Sequence, residues 1–229
     1  MVDFQETIMK MVSWIPALLR GARITILLTI CSMSAGLVLS LFIALGKMSK
    51  ITIINKFCTA YTFFFRGTPL LMQIYFIYYA LPRISDFFLI NTGYAEADRF
   101  IYAFIAYSLN CAAYSAEIIR AAIQSIDKGQ FEASRALGFS YAQTMRLVII
   151  PQSIRRLIPP VGNEFILMLK DVSLVSMIAL VDITRATRTI ESSTRSPLVY
   201  IPAMILYLII TAVFTFIFRK LEKKYSVYE

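Results

Sequence analysis

The chain has 229 residues, of which 58% are hydrophobic and only 16% charged, against roughly 45–50% apolar and about 25% charged in ordinary soluble domains. Too little polar surface remains to cover a soluble globule, so the expected solvent is lipid. The net charge of +9 then reads as Lys and Arg gathered in the inner loops of a polytopic membrane protein, not as a nucleic-acid footprint. No histidine is present, and Cys31, Cys58 and Cys111 sit in apolar surroundings without CxxC spacing, so neither a metal centre nor an embedded hydrolase is expected.

Residues 1–16 read as an amphipathic interfacial lead-in, with Ile8, Met11, Val12 and Ile15 at helical spacing and Trp14 as an anchor. Asp3 and Glu6 are unlike the basic start of a cleaved leader, so the first span is expected to be retained. That span covers about Ala17–Leu45, long for a crossing of about 20 residues, and Lys47, Lys50 and Lys56 after it mark the inner side. Residues 53–81 are apolar but interrupted by Arg66-Gly67-Thr68-Pro69. Thr68 is placed to cap a helix whose first residue is Pro69, which gives either a discontinuous second span, its helix N-terminus aimed inward, or a plain elbow at the membrane surface.

A polar loop, 82–99, with a turn at Asn91-Thr92-Gly93 leads to a third span from Phe100 to about Ser125. Asn110, Tyr114, Glu117, Arg120 and Gln124 fall mostly on one stripe of it. Polar groups at membrane depth face a cavity or partners; alternatively, Glu117 and Arg120 neutralise each other at three-residue spacing.

Residues 129–152 then interrupt the apolar pattern. A short helix over Phe131–Leu137 stops at Gly138; Ser140 with Gln143 has the spacing of a capping box for a second one, which Pro151 is expected to end. The fourth span, about Val161–Val181, carries Asn163, Glu164, Lys170 and Asp171. Lys170 and Asp171 can cancel one another, whereas Glu164 has no local counter-ion. It pairs either with a cationic ligand or with a cation on another span such as Arg120. An outer loop over 182–200, a final span over about Leu198–Phe218 and a basic tail complete the reading. The expected fold is all-α, with five spans, the N-terminus outside, the C-terminus inside, and one membrane domain over 1–229 without internal repeats.

Glu132-Ala133-Ser134, with Gly138 after it and Ile150-Pro151 beyond, resembles the EAA motif of inner-membrane permease subunits of binding-protein-dependent ABC importers. Ser134 stands where that family prefers a second alanine. The runs Phe65-Arg66-Gly67-Thr68-Pro69-Leu70-Leu71 with Gln73, and Asn110 to Arg120, resemble its polar amino acid branch (histidine, arginine and glutamine type). The resemblance implies a bacterial inner-membrane, non-catalytic subunit whose 129–152 loop forms coupling helices against an ATPase. Glu132, Ala133, Ser134, Arg135, Ala136 and Gly138 would carry that contact.

It further implies a second permease subunit, an extracytoplasmic solute-binding protein docking on 82–99 and 182–195, and ATP with Mg bound by the partner ATPase. No Walker A pattern occurs in the chain itself. Gly162-Asn163-Glu164-Phe165 is similar to members that handle Arg, Lys or His. Asn163 and Glu164, with Asn110, Tyr114 and Glu117, are therefore the expected substrate residues, Glu164 neutralising the side chain and Asn163 orienting the polar head. Permeases for neutral or acidic polar amino acids or cystine are the alternative. A passive channel would need no ATPase-docking knob, and an embedded enzyme would need a nucleophile or metal cluster.

Overall fold

The computed structural model describes residues 4–225, and among these every regular element is helical. The first helix, α1 (Phe4–Lys47), runs unbroken through Pro16. The expected separate lead-in is therefore the first part of one rod about 65 Å long at 1.5 Å per residue, more than twice the roughly 30 Å hydrocarbon core; residues 1–3 lie outside the described residues. Proline removes one donor at Pro16, and a helix this long retains enough flanking bonds to continue across it.

The second pass is discontinuous. It comprises α2 (Thr52–Gly67), α3 (Leu70–Tyr75), a π-turn over Phe76–Ala80 and α4 (Leu81–Ile84). The break at Thr68-Pro69 is the expected one, but its chemistry differs. The residue before a proline is driven to extended backbone, and Thr68 adopts φ −116°, ψ 147°. Its hydroxyl consequently points back and donates to the Phe64 carbonyl at 2.9 Å instead of capping α3, and the first helical residue is Leu70, not Pro69.

Helix α5 (Ala95–Gln124) begins five residues before the expected Phe100, and α6 (Lys128–Ala136) follows. The segment Tyr141–Thr144 is α7, and a π-turn over Met145–Ile149 joins it to α8 (Ile150–Asp171). Pro151 thus does not end a helix. It lies inside a continuous helical run directly after the π-turn, whose Ile150 N–H donates to Met145 O, an irregular turn of the kind that accompanies a proline's missing donor. A 3-10 stretch, Val172–Ile178, leads to α9 (Ile183–Thr194), and α10 (Tyr200–Tyr225) closes the chain.

Helix α9 replaces most of the loop expected over 182–200. Asp182 caps it, accepting from the Thr184 and Arg185 amides at 3.0 and 2.8 Å, and its Ile183, Ala186 and Thr187 are buried. Five helical passes (α1, α2–α4, α5, α8 and α10) therefore make up the body. The stretches Gln5–Lys47 and Pro197–Tyr225 are long and apolar enough to cross a membrane on length and hydropathy alone. Helices α5 and α8 carry the polar stripes that lower theirs.

The core is centred on the α1–α5 pair. Leu28, Met33, Tyr107 and Cys111 from these helices pack with Leu169 of α8 and with Val172 and Val175 of the 3-10 stretch after it. At the crossing, a Cβ on Gly36 would meet Cys111 Sγ at 2.7 Å, so the close approach of the two helices requires a residue without a side chain. The outer face of α10 leaves Met204, Leu208, Val213 and Phe216 exposed, as a surface solvated by lipid or by another apolar chain requires.

Candidate functional site

Two polar regions stand out from the apolar body. The first is the knob formed by α6 and α7 between the third and fourth passes. Asp127 caps α6 by accepting from the Gly129 amide at 2.6 Å. The helix ends in a full Schellman motif: Phe139 N–H donates to Ser134 O and Gly138 N–H to Arg135 O, at 3.0 and 2.9 Å. Gly138 supplies the required left-handed backbone, φ +78°. The capping box opening α7 is complete, with Ser140 Oγ accepting from the Gln143 amide and the Gln143 side chain accepting from the Ser140 amide.

Of the expected contact residues, Glu132, Ala133, Arg135, Ala136 and Gly138 are exposed. Ser134 is buried, its hydroxyl donating to the Gln130 carbonyl at 2.7 Å. Between the two short helices, Leu137 and Tyr141 are 75% and 71% exposed. The tip of the knob is thus apolar and open, on a turn whose backbone groups are well satisfied. The base of the knob is fastened: Arg156 donates to the carbonyl and hydroxyl of Ser125 at the end of α5, and Gln152 donates to Gln130 at 3.3 Å. From Tyr141 to Asp171 the backbone is continuously helical, with the π-turn and Pro159-Pro160 inside the run, so one helical connection joins the knob to the fourth pass.

The second region is the polar side shared by α1, α2 and α5. Glu117 accepts from Lys47 Nζ with one carboxylate oxygen and from Arg120 Nε and Nη2, at 2.9 and 2.7 Å, with the other. Lys47 also donates to Thr62 Oγ1 at 2.8 Å, and Arg120 to Gln124 at 2.5 Å. The Glu117–Arg120 pair is as the spacing suggested; Lys47, seventy residues away in sequence, is the third member. Two turns earlier on α5, Asn110 donates to Gln73 Oε1 at 2.9 Å and to the Phe65 carbonyl at 3.2 Å. The buried Gln73 amide in turn donates to Phe65 O, Thr68 O and Thr68 Oγ1. These two side chains satisfy the carbonyls freed by the break, which is how irregular backbone is tolerated inside such a body.

The Arg66 guanidinium lies over the Tyr114 ring, 5.3 Å from its centroid. Glu164 on α8 is half-buried, within reach of the charges of Arg66 and Asp171. Thus Asn110, Tyr114 and Glu117 share one side of α5, with Arg66 over Tyr114, and Glu164 on α8 feels the charge of Arg66 without pairing with it. Asn163 does not join them: it lines a depression of about 250 Å³ between α8 and α10, with Pro159, Phe218 and Arg219. Adjacent helical residues diverge by about 100°, which separates the two. Lys47, Arg66, Gln73 and Asp127 were not singled out as site residues from sequence. Asp127 with Gln130 has capping-box spacing that would have revealed the start of α6; no local pattern announces the others' partners.

The chain matches the family model described as binding-protein-dependent transport system inner membrane component over residues 36–227. It is 37% identical to the L-cystine transport system permease protein TcyL of Bacillus subtilis (strain 168), over 92% of this chain and 88% of that one. Likewise, it is 36% identical to the arginine transport system permease protein ArtQ of the same organism, over 97% of each. Its fold superposes with a TM-score of 0.86 and 39% identity on a crystal structure of an amino acid ABC transporter with histidines, covering 98% of this chain and 99% of that one.

Proposed function

Because the chain belongs to the family of inner membrane components of binding-protein-dependent transport systems, we propose that it is the permease subunit of an ATP-driven importer for polar, cationic amino acids. The whole chain acts as one membrane domain in the cytoplasmic membrane, with the knob and C-terminus inside and the N-terminus outside. It catalyses no reaction itself; ATP and Mg are held by ATPase subunits, which receive the knob. A second permease subunit encloses the path with it, and an extracytoplasmic solute-binding protein delivers substrate.

The observation that carries this reading is the continuous helix from the exposed apolar knob to the half-buried Glu164. An ATPase that closes on Leu137 and Tyr141, with Glu132 and Arg135 as flanking charges, moves α8 as a rigid body. The residues lining the substrate's way move with it. Glu164 supplies the charge that a cationic side chain needs at membrane depth. Glu117, already engaged by Lys47 and Arg120, holds α1 and α5 together beside that path; Asn110 and Tyr114 form its wall, and Asn163, which faces α10, takes no part in it.

Reconstituted with ATPase and receptor, Leu137→Asp and Glu132→Ala are expected to abolish substrate-stimulated ATP hydrolysis while the protein remains inserted. Unchanged stimulation refutes the coupling role. A neutral or cystine substrate is the second reading, supported by the equal likeness to a cystine permease. Glu164→Gln separates the two: on the cationic reading it weakens uptake of arginine or lysine far more than that of glutamine or cystine.

A further inference from the structure

We propose that the depression between α8 and α10 holds the headgroup of a phosphatidylethanolamine-type lipid, with its phosphate on Arg219 and its primary ammonium on Glu222. The inference needs only the membrane setting of the family and does not depend on which solute is carried. Thr215, Phe218, Arg219 and Glu222 recur at helical spacing on one stripe of α10 and line this open space of about 250 Å³ with Gly162 and Asn163 of α8. Its floor is closely packed. Phe218 lies on the Phe165 ring at 5.3 Å between centroids, and a Cβ on Gly162 would meet the Phe218 ring at 2.9 Å.

The depth of the depression suits a headgroup. From Tyr200 to Phe218 α10 carries no charge, a length of about 28 Å at 1.5 Å per residue that matches the roughly 30 Å hydrocarbon core. Arg219 therefore stands where lipid phosphates begin. The same stripe continues into the apolar zone as Thr211, Leu208 and Met204, the last two 68% and 59% exposed. A headgroup in the depression has its acyl chains laid along this open apolar track.

The charges select the kind of headgroup. Arg219 and Glu222 are three residues apart, a spacing at which they could neutralise one another, yet neither belongs to an ion pair among the described residues. Lys220 and Lys224, by contrast, rest over the rings of Phe216 and Tyr225 at 5.7 and 6.0 Å, and neither lines the depression. A cation and a carboxylate one turn apart match a zwitterion whose phosphate and ammonium are joined by an ethylene unit. A purely anionic headgroup satisfies Arg219 but meets Glu222 as a like charge, and a choline headgroup brings a cation with no N–H to donate. Asn163, across the gap, offers an amide to phosphate or ester oxygens, in a polar pocket between spans of the kind that takes lipid headgroups.

The test is native mass spectrometry of the purified permease–ATPase complex in detergent, titrated with dioleoyl phosphatidylethanolamine, phosphatidylcholine or phosphatidylglycerol. The wild-type complex is expected to bind its first ethanolamine lipid about tenfold more tightly than either of the others. Glu222→Gln should bring the ethanolamine lipid down to the level of the choline lipid while changing the latter less than about threefold. Arg219→Gln should weaken all three by about tenfold, and Lys224→Gln should leave the ranking unchanged.

No wild-type preference for the ethanolamine over the choline lipid overturns the proposal without any variant. So does a Glu222→Gln complex that keeps the preference. A loss in Lys224→Gln as large as that in Arg219→Gln also overturns it, being the mark of a diffuse basic surface. Each of these failures leaves the transport reading intact, because substrate-stimulated ATP hydrolysis by the same complex reports on that reading separately.

Discussion

Replacing Glu117 by Gln should destabilise the protein before it touches transport, because the carboxylate closes a three-helix clamp. The side chains of Glu117 and Lys47 are only 16% and 14% exposed, and that of Arg120 is 33% exposed. Removing one partner of a buried pair costs about 3–5 kcal/mol; the more open Arg120 and the Thr62 bond to Lys47 reduce this, so roughly 2–3 kcal/mol is expected. At about 2–4 °C per kcal/mol for a chain of this size, the melting temperature should fall by roughly 5–10 °C, read by thermal unfolding of the purified protein in detergent.

Lys47→Met should cost less, since Arg120 still neutralises Glu117. The double variant Lys47→Met/Glu117→Gln should be no less stable than Glu117→Gln alone, because the cation stranded by the single change is gone. Strictly additive losses would refute the clamp. If Glu117→Gln instead left the melting temperature unchanged and weakened substrate binding, Glu117 would be a substrate ligand and not the bolt between α1 and α5.

Gln73→Leu leaves the Asn110 amide and the Phe65 and Thr68 carbonyls short of partners at the helix break; a loss of roughly 2–4 kcal/mol is expected, and adding Asn110→Ala should then cost little more in the same unfolding assay. Gly138→Ala forces a side chain into left-handed backbone at about 1–2 kcal/mol; it should lower the ratio of stimulated to basal ATP hydrolysis in vesicles more than it lowers the melting temperature, and equal loss of both rates would count against a coupling defect. Asp182, between the fourth pass and α9, has its carboxyl pushed up to about 6 by burial. Since its ordinary value lies lower, the folded state holds the extra proton between about pH 4 and 6, and stability falls as pH rises through that window, by up to roughly 3 kcal/mol. Asp182→Asn, which still caps α9, should flatten this slope; an unaltered pH–stability curve would show that Asp182 is not its source.

Much of this protein is legible in its residues because the governing physics acts over one or two helical turns. An apolar excess selects lipid as solvent. A threonine–proline pair after Arg66 breaks a helix, Gly138 turns a chain that must go left-handed, and Ser140 with Gln143 completes a capping box; Glu117 and Arg120 meet at three-residue spacing. None of these depends on what lies across the molecule.

Where local signals misled, tertiary packing supplied the missing term. A π-turn carries the chain past Pro151 into an uninterrupted fourth pass. Burial of Ile183, Ala186 and Thr187 turns an outer loop into α9. Thr68 spends its hydroxyl on the end of α2, leaving Gln73 and Asn110 to satisfy the carbonyls of the break. The meetings of Lys47 with Glu117, and of Arg66 with Tyr114, join residues far apart in sequence. They follow from how closely α1, α2 and α5 approach one another, a distance set partly by Gly36 at the α1–α5 crossing and invisible to any pattern within a single helix.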